Sequence, residues 1–417
     1  MKIAQVLGRG IEGVGVTRYV IELNSYLNRN KIDNDIFVVT DKKWGREKAQ
    51  NFPEYEEINE ESIELISEKL NSYDYVFIHS VPSIKHSEII IEKFFELVKN
   101  VTSKKVIFQN DHKIQSIRRN ANFIEMCQYC DKIVSHSDTS PFYKKLVNVY
   151  GNSILSKFVH LHVMYDYSNI LKYRKEEHLS KISYLGRFAT FKDPGRLLKI
   201  LDKTKTNNIH MDFVGVERSI GATSIFYKDY ENRVHNDDLI NMDGYLRKDD
   251  VSKYDFDENN RDISKIYSFG AYQYDKGLSY VSNSLVACDF YNLDADAYGD
   301  NVEYAQCEIV GMGCIPLFDS HWGENCYVFE NGKKTNTRFI DLDNFGLFLK
   351  KDISNVDEVI EEFIKLRENK SLQEIYRKNS FEIMKGHSDI DWICEQLLND
   401  IQCSVKLDSK DPFNLLF

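Results

Sequence analysis

No stretch of this chain carries the about 18 consecutive apolar residues that a membrane span needs, so no membrane partner is expected. No charged-then-apolar leader with a small-residue cleavage site opens it, and the cytoplasm is the expected compartment. Cysteine is scarce, eight among 417 residues. One pair, Cys127 and Cys130, has Cys-x-x-Cys spacing. A zinc site needs a second such pair or matched histidines, so two ordinary helix cysteines, no metal and no disulfides are expected. A basic excess is also missing: 54 Lys and Arg against 65 Asp and Glu give a net charge of −11. That argues against non-specific polyanion binding by the surface at large and leaves room for a local basic cleft. Arg118, Arg119, Lys144, Lys145, Arg247 and Lys248 are its candidates, with solvated surface as the plainer reading. No internal repeat or low-complexity segment stands out. What is present, 42% hydrophobic and 29% charged residues over this length, describes a globular protein of two or three domains.

The first half alternates two kinds of apolar pattern. Residues 2–7, 35–40, 74–79, 104–110, 131–136 and 157–162 are short, mostly continuous apolar runs, as parallel strands covered on both faces are. Between them, Val16, Tyr19, Val20, Leu23 and Leu27 share one helix face, and 61–72 and 85–100 read alike. This alternation predicts a doubly wound α/β domain. A polar, irregular stretch at 165–180 reads as a linker, and then the pattern restarts. Strands are expected at 181–185, 210–215, 239–246, 284–291, 314–319 and 338–342, and helices at 194–205, 303–312, 355–368, 371–385 and 389–402. The expected division is a first domain over 1–168, a second over 169–386, and a helix and tail over 387–417 that can pack back on the first. Residues 220–280, rich in Asp, Asn and Tyr, receive no assignment.

Ligands in such folds bind outside the carboxyl ends of the strands, so the loops after strands are where chemistry is expected. Gly8-Arg-Gly10-Ile-Glu-Gly13-Val-Gly15 places four glycines between a strand and a helix, which aims free N–H groups at phosphate or sugar oxygens. The loop also fits a dinucleotide fingerprint. Asp41, however, follows the second strand 28 residues beyond Gly13, where about 20 is usual, and a tight structural turn is a third reading. Gln109-Asn110-Asp111-His112 sets a carboxylate beside an imidazole at a strand end, a catalytic placement; a helix N-cap is the plainer alternative. Arg118 and Arg119 follow, with forks suited to phosphates. Ser135-His136-Ser137-Asp138 can cap a helix or meet sugar hydroxyls. Arg187 and Lys192 put two cations in one loop, enough to clamp a diphosphate, or stand as surface charge. Glu217 and Arg218 suit a base or ribose, or a capping loop. Glu303 and Glu308 open an apolar helix about 140° apart in azimuth, Glu303 at its tip, where the helix dipole alone explains an acid. Asp294-Ala-Asp296, with Asp289 and Asp300 nearby, suits a metal–nucleotide pair but reads better as a solvated turn.

The order of these motifs is the layout of GT-B glycosyltransferases, an α/β fold of two facing Rossmann-like domains with an inter-domain cleft. At finer grain the chain resembles the T-even phage DNA α-glucosyltransferase family. The likeness rests on 8–17, Ser80-Val-Pro82, Gln109-Asn-Asp-His112 with Ser116-x-Arg118-Arg-Asn120, Ser135-His-Ser-Asp138, Gly186-Arg187 with Lys192, Glu217-Arg-Ser219, Glu303-Tyr304 with Glu308, Ile315-Pro316 and Gly323-Glu-Asn325. It runs through both domains and is poor over 220–300 and the C-terminal tail.

The resemblance implies a UDP-sugar as co-substrate, held mainly by the second domain, with no other cofactor and no metal. It implies transfer with retention to 5-hydroxymethylcytosine in double-stranded phage DNA, in the infected bacterial host. Arg187 and Lys192 then take the diphosphate, Glu308 the ribose hydroxyls, and Glu303 lies near the sugar. Asp111 and Glu303 are the catalytic carboxylates. Gly13, Val14, Gly15, Glu217 and Arg218 complete the donor site, and Asn110, His112, Arg118, Arg119 and Ser137 face the acceptor. The phage glucosyltransferases carry a histidine immediately before the aspartate; Asn110 stands there instead. A site built to bond a hydroxyl discriminates against a substrate lacking it, so the donor stays open between glucose and a pentose such as arabinose. Other readings also stay open: a GT-B enzyme acting on a polysaccharide, lipid or protein, a non-catalytic nucleotide-sugar module, and a nicotinamide dehydrogenase.

Overall fold

Strands that are apolar throughout must be covered on both faces, and each half of the chain satisfies this with one parallel sheet. The structure is a computed structural model that describes residues 1–8, 10–11, 15–40, 52–82, 86–109, 121–136, 141–186, 192–215, 239–241, 262, 265–268, 274–290, 302–330 and 333–402. The chain divides into two units, residues 1–161 with the segment from Asp391, and residues 162–390.

The first unit runs β1 (Lys2–Leu7), α1 (Gly15–Arg29), β2 (Asp33–Val39), β3 (Glu56–Ile58), α2 (Ile63–Leu70), β4 (Tyr75–Ser80), α3 (Glu88–Asn100), β5 (Lys104–Gln109), α4 (Ala121–Tyr129), β6 (Lys132–Ser135), α5 (Pro141–Tyr150) and β7 (Phe158–His160). Its strands pair in parallel in the order β3-β2-β1-β4-β5-β6-β7. Gln5 is the buried polar exception in β1. A chain of amides satisfies it: His79 Nε2–H donates to Gln5 Oε1 (3.1 Å), Gln5 Nε2 to Asn34 Oδ1 (3.0 Å), and Asn34 Nδ2 to Asn28 Oδ1 (2.9 Å). Cys127 and Cys130 are buried free thiols, the second pushed up to about 12 by burial, so both behave as apolar packing groups.

The second unit runs α6 (Ser168–Leu171), β8 (Leu179–Leu185), α7 (Gly195–Lys199), α8 (Leu201–Thr206), β9 (His210–Val214), β10 (Leu239–Asn241), β11 (Ile266–Ser268), α9 (Tyr274–Ser282), β12 (Ser284–Asp289), α10 (Tyr304–Gly311), β13 (Ile315–Asp319), α11 (Ser320–Asn325), β14 (Tyr327–Glu330), β15 (Lys333–Arg338), β16 (Leu347–Leu349), α12 (Val356–Glu368) and α13 (Lys370–Ser388). Its parallel sheet has the order β10-β11-β9-β8-β12-β13-β16, and β14 and β15 form a separate antiparallel hairpin. In the core Lys181 and Asp212, both fully buried, pair at 3.0 Å across β8 and β9.

The last helix, α14 (Ile390–Gln402), returns to the first unit, where Asp391 pairs with Arg29 and the Ile401 carbonyl accepts from the Tyr75 hydroxyl at 3.5 Å. Its presence widens the buried face of α1 beyond the stripe read from the sequence. Thr17, Glu22 and Tyr26 are buried as well, and the Cys394 thiol lies near enough to help raise the Tyr19 and Tyr26 phenols, after burial itself.

Three local expectations change, and a fourth is described only in part. The stretch at 165–180 is not a free linker at its start, because Tyr165, Tyr167 and Ile170 are buried in the core of the second unit. The helix at 194–205 is two short helices that break at Ile200. At 338–342 the chain makes a 3-10 turn, Phe339–Asp341, that buries Phe339; β16 pairs with β13 in the sheet instead. Of the strand expected at 239–246, residues 239–241 are β10 and the rest lie outside the described residues.

Candidate active site

Each sheet reverses its direction of growth at one place. In the first, β1 lies between β2 and β4; in the second, β8 lies between β9 and β12. Crevices for ligands open at the carboxyl ends of strands at such switch points.

At the first switch point the backbone of Gly8 crosses β4. Its N–H donates to the Ser80 carbonyl at 3.1 Å, and a Cβ there would lie 2.2 Å from that oxygen, so only glycine fits. Gly15 is the first residue of α1. Burial lowers the His79 imidazole from its ordinary value to about 3, so it is neutral, and it stacks on Phe108 with centroids 4.6 Å apart. His136 Nδ1–H donates to the Leu161 carbonyl at 2.8 Å. Tyr19 packs against His79, Phe108 and His136. Among the described residues, the buried hydroxyls of Thr17, Tyr19 and Ser80 and the side-chain nitrogen of Gln109 have no hydrogen-bond partner.

The second switch point is charged. Asp289 ends β12, fully buried, and both its oxygens accept from Lys192 Nζ, at 2.9 and 2.6 Å. Lys192 Nζ also stands 3.4 Å from a Glu303 oxygen. Glu303 is the N-cap of α10, in extended backbone, and its N–H donates to Gln306 Oε1 at 2.9 Å. Glu303 therefore precedes the helix instead of lying on its surface, while Glu308 is buried within it. Gly186 follows β8 where a Cβ would lie 3.0 Å from the Tyr184 hydroxyl and 3.1 Å from Asp289 Oδ1. Burial, and next the Asp289 carboxylate, raise the Tyr184 phenol well above its usual value. Close by, Arg196 is fully buried. It donates to Asp193 (3.1 Å), to Asp319 and to the Leu349 carbonyl (3.2 Å), and it lies over the Phe290 ring at 4.8 Å. Asp319 meanwhile caps α11 through the Trp322 N–H at 3.1 Å. Both cations are thus bracketed by carboxylates, and the geometry is fixed before any ligand binds.

Of the residues expected in the site, Lys192 and Glu303 are brought together and Glu308 follows on the same helix. Asn110, Asp111, His112, Arg118, Arg119, Ser137, Gly13, Val14, Arg187, Glu217 and Arg218 lie outside the described residues, as do Asp294 and Asp296. Sequence reasoning missed Asp289, Tyr184 and Arg196. Asp289 had been read as part of a solvated turn; its signal was its place at the end of a wholly buried central strand. Among the described residues no group of three or more His, Cys, Asp or Glu side chains could hold a metal, and no helix is long and apolar enough to cross a membrane.

Two doubly wound parallel sheets of this kind are the GT-B architecture. A solved alpha-glucosyltransferase in complex with UDP-glucose and DNA containing an abasic site superposes with a TM-score of 0.79 at 20% identity, over 97% of this chain and 100% of that one. Anabaena HepE in complex with UDP-glucose is more distant, with a TM-score of 0.57 at 10% identity over 96% of this chain and 99% of that one. The DNA alpha-glucosyltransferase of Enterobacteria phage T4 is 25% identical over 419 aligned residues, 93% of this chain and 96% of that protein. The DNA alpha-glucosyltransferase family profile matches residues 14–368, and the chain belongs to that family. It is a glycosyltransferase, and the dehydrogenase and non-catalytic readings fall away.

Proposed function

We propose that this enzyme transfers a sugar from a UDP-sugar to 5-hydroxymethylcytosine in double-stranded DNA, with retention of anomeric configuration. The observation that carries the reading is the family match, which runs through both units and includes the charged cluster at the second switch point. Relatives were solved with UDP and a 13-mer DNA containing an HMU base, as well as with UDP-glucose. In this reading 1–168 serves the acceptor and 169–386 the donor. Arg187 neutralises the diphosphate as UDP leaves, Glu308 accepts from the ribose hydroxyls, and Glu303 faces the sugar. Gly13, Val14, Gly15, Lys192, Glu217 and Arg218 complete the donor site. Asp111 stands beside the reacting hydroxyl, whose proton passes to the leaving phosphate. Asn110, His112 and Ser137 line the acceptor side. The target base must leave the duplex to be reached, and Arg118 and Arg119 hold the phosphates beside it.

Mass spectrometry of nucleosides from hydroxymethylated duplex DNA incubated with UDP-sugar tests the reaction, and the anomeric coupling constant of the product tests retention. An unmodified base, or sugar found only on a non-DNA acceptor, overturns the reading. Asp111→Asn lowers kcat by about 100-fold or more with the fold intact, measured at saturating donor. UDP-glucose and UDP-arabinose offered together decide the donor: Asn110 favours the pentose, and a clear preference for glucose ends that idea.

A further inference from the structure

The end of the second sheet where β8 and β13 begin lies away from Lys192 and Asp289, and it carries a surplus of hydrogen-bond donors. His178 immediately precedes β8, Gly313 lies two residues before β13, and Arg377 is on α13. Arg377 is 8% exposed. Its Nη2 donates to His178 Nδ1 at 2.8 Å and to Gln373 Oε1 at 3.1 Å. A guanidinium only donates, so the neutral imidazole carries its proton on Nε2. That nitrogen and Arg377 Nε are buried and have no partner among the described residues. Arg174, exposed, is the neighbouring cation. Its stem lies against Gly313, where a Cβ would stand 3.1 Å from Arg174 Cγ and where a φ of +84° favours glycine. Its guanidinium lies over Phe381 at 5.7 Å, and Phe381 is one helical turn from Arg377. Burial lowers the Arg377 pKa, Arg174 lowers it further, and Glu374 partly offsets them. Among the described residues neither guanidinium has an ion pair, and Glu177 pairs with Lys370 at 3.6 Å instead.

Two like charges held as neighbours, with donors left over, call for acceptor oxygens from outside the chain. A phosphate supplies enough of them, and its oxygens match the paired N–H groups of a guanidinium fork. We propose that Arg174 and Arg377 form an oxyanion site, separate from the donor site, that takes inorganic phosphate or a phosphate ester and so ties the 172–178 connection to α13. Arg377 is recessed while Arg174 is exposed, which suits a small free anion better than a phosphodiester flanked by its sugars. The inference does not depend on the donor reading above.

Calorimetric titration of inorganic phosphate into the full chain, at fixed ionic strength and with UDP filling the donor site, tests it. The wild type is expected to bind phosphate, and Arg174→Gln to weaken that binding by about ten-fold or more while UDP affinity stays within about two-fold. Arg377→Lys keeps the charge, loses the fork and is expected to weaken phosphate binding too. Arg174 is exposed, so its variant keeps the test available if Arg377→Lys does not fold. A short DNA duplex titrated in parallel separates the sources. Phosphate binding lost in Arg174→Gln with DNA affinity unchanged assigns the site to free phosphate. Weaker DNA binding in that variant, with no phosphate bound by the wild type, assigns it to the DNA backbone. Phosphate binding that Arg174→Gln leaves unaltered overturns the proposal. So does a wild type that binds no phosphate and whose DNA affinity Arg174→Gln does not change. Failure of UDP to bind removes the donor reading and leaves the phosphate titration to decide this site by itself.

Discussion

The two switch points solve the same topological problem with opposite electrostatics. Among the described residues, the groups named at the β1–β4 edge are neutral: an imidazole held uncharged by burial, a chain of amides, and hydroxyls that lack partners. At the β8–β12 edge they are charged and mutually satisfied, with Lys192 on Asp289 and Glu303, and Arg196 on Asp193 and Asp319. A satisfied ionic network holds its geometry in the absence of ligand. Buried hydroxyls without partners cost about 1–3 kcal/mol each and suit a surface that exchanges hydrogen bonds with what it binds. The comparison separates a rigid edge from an adaptable one within a single chain.

The sharpest way to break that contrast is to remove one member of the ionic edge. Asp319→Ala leaves Arg196 buried with less counter-charge and is expected to destabilise the second unit by about 3–5 kcal/mol, read from urea unfolding. Gly8→Ala forces a methyl group against the Ser80 carbonyl and is expected to cost about 1–3 kcal/mol in the first unit.

Acid separates the units by mechanism. His79 and His178 are both lowered to about 3, the first by burial alone, the second by burial and then by Arg377, Arg174 and Lys181. Between the ordinary value of 6.5 and 3 the unfolded chain holds the extra proton. Stability is therefore full above pH 6.5 and falls as the pH drops through that window, by up to about 1.4 kcal/mol per pH unit for each histidine. Added salt screens the cations around His178 and softens its contribution, while that of His79 stays; His79→Gln and His178→Gln variants assign the two. The smallest effect is expected from Tyr19→Phe, which removes a buried hydroxyl that has no partner among the described residues and raises stability by about 1 kcal/mol.

Strand positions were legible because buried parallel strands announce themselves as apolar runs; those expected at 2–7 and 314–319 needed almost no adjustment. Short elements with few apolar residues escaped. β3 and β11 are held by partners distant in sequence, which local patterning does not encode, and the second strand of the β14–β15 hairpin, Lys333–Arg338, has no apolar residue to announce it. The site was legible in parts. Glycine clusters and strand-end cations drew attention to the loops after strands, and Lys192 and Glu303 did meet. Asp289 looked like one acid among several in a polar stretch. Only the burial of the whole of β12 and the arrival of Lys192 from 97 residues away give it a role. Glu303 carried both of its readings at once: it caps a helix and it faces a cation.

Hydrogen–deuterium exchange with UDP alone tests most directly whether the charged edge is the donor site. Slower exchange over 186–192 and 302–308, largest in the second unit, is the predicted result. Protection confined to the first unit, or none in either, contradicts the account.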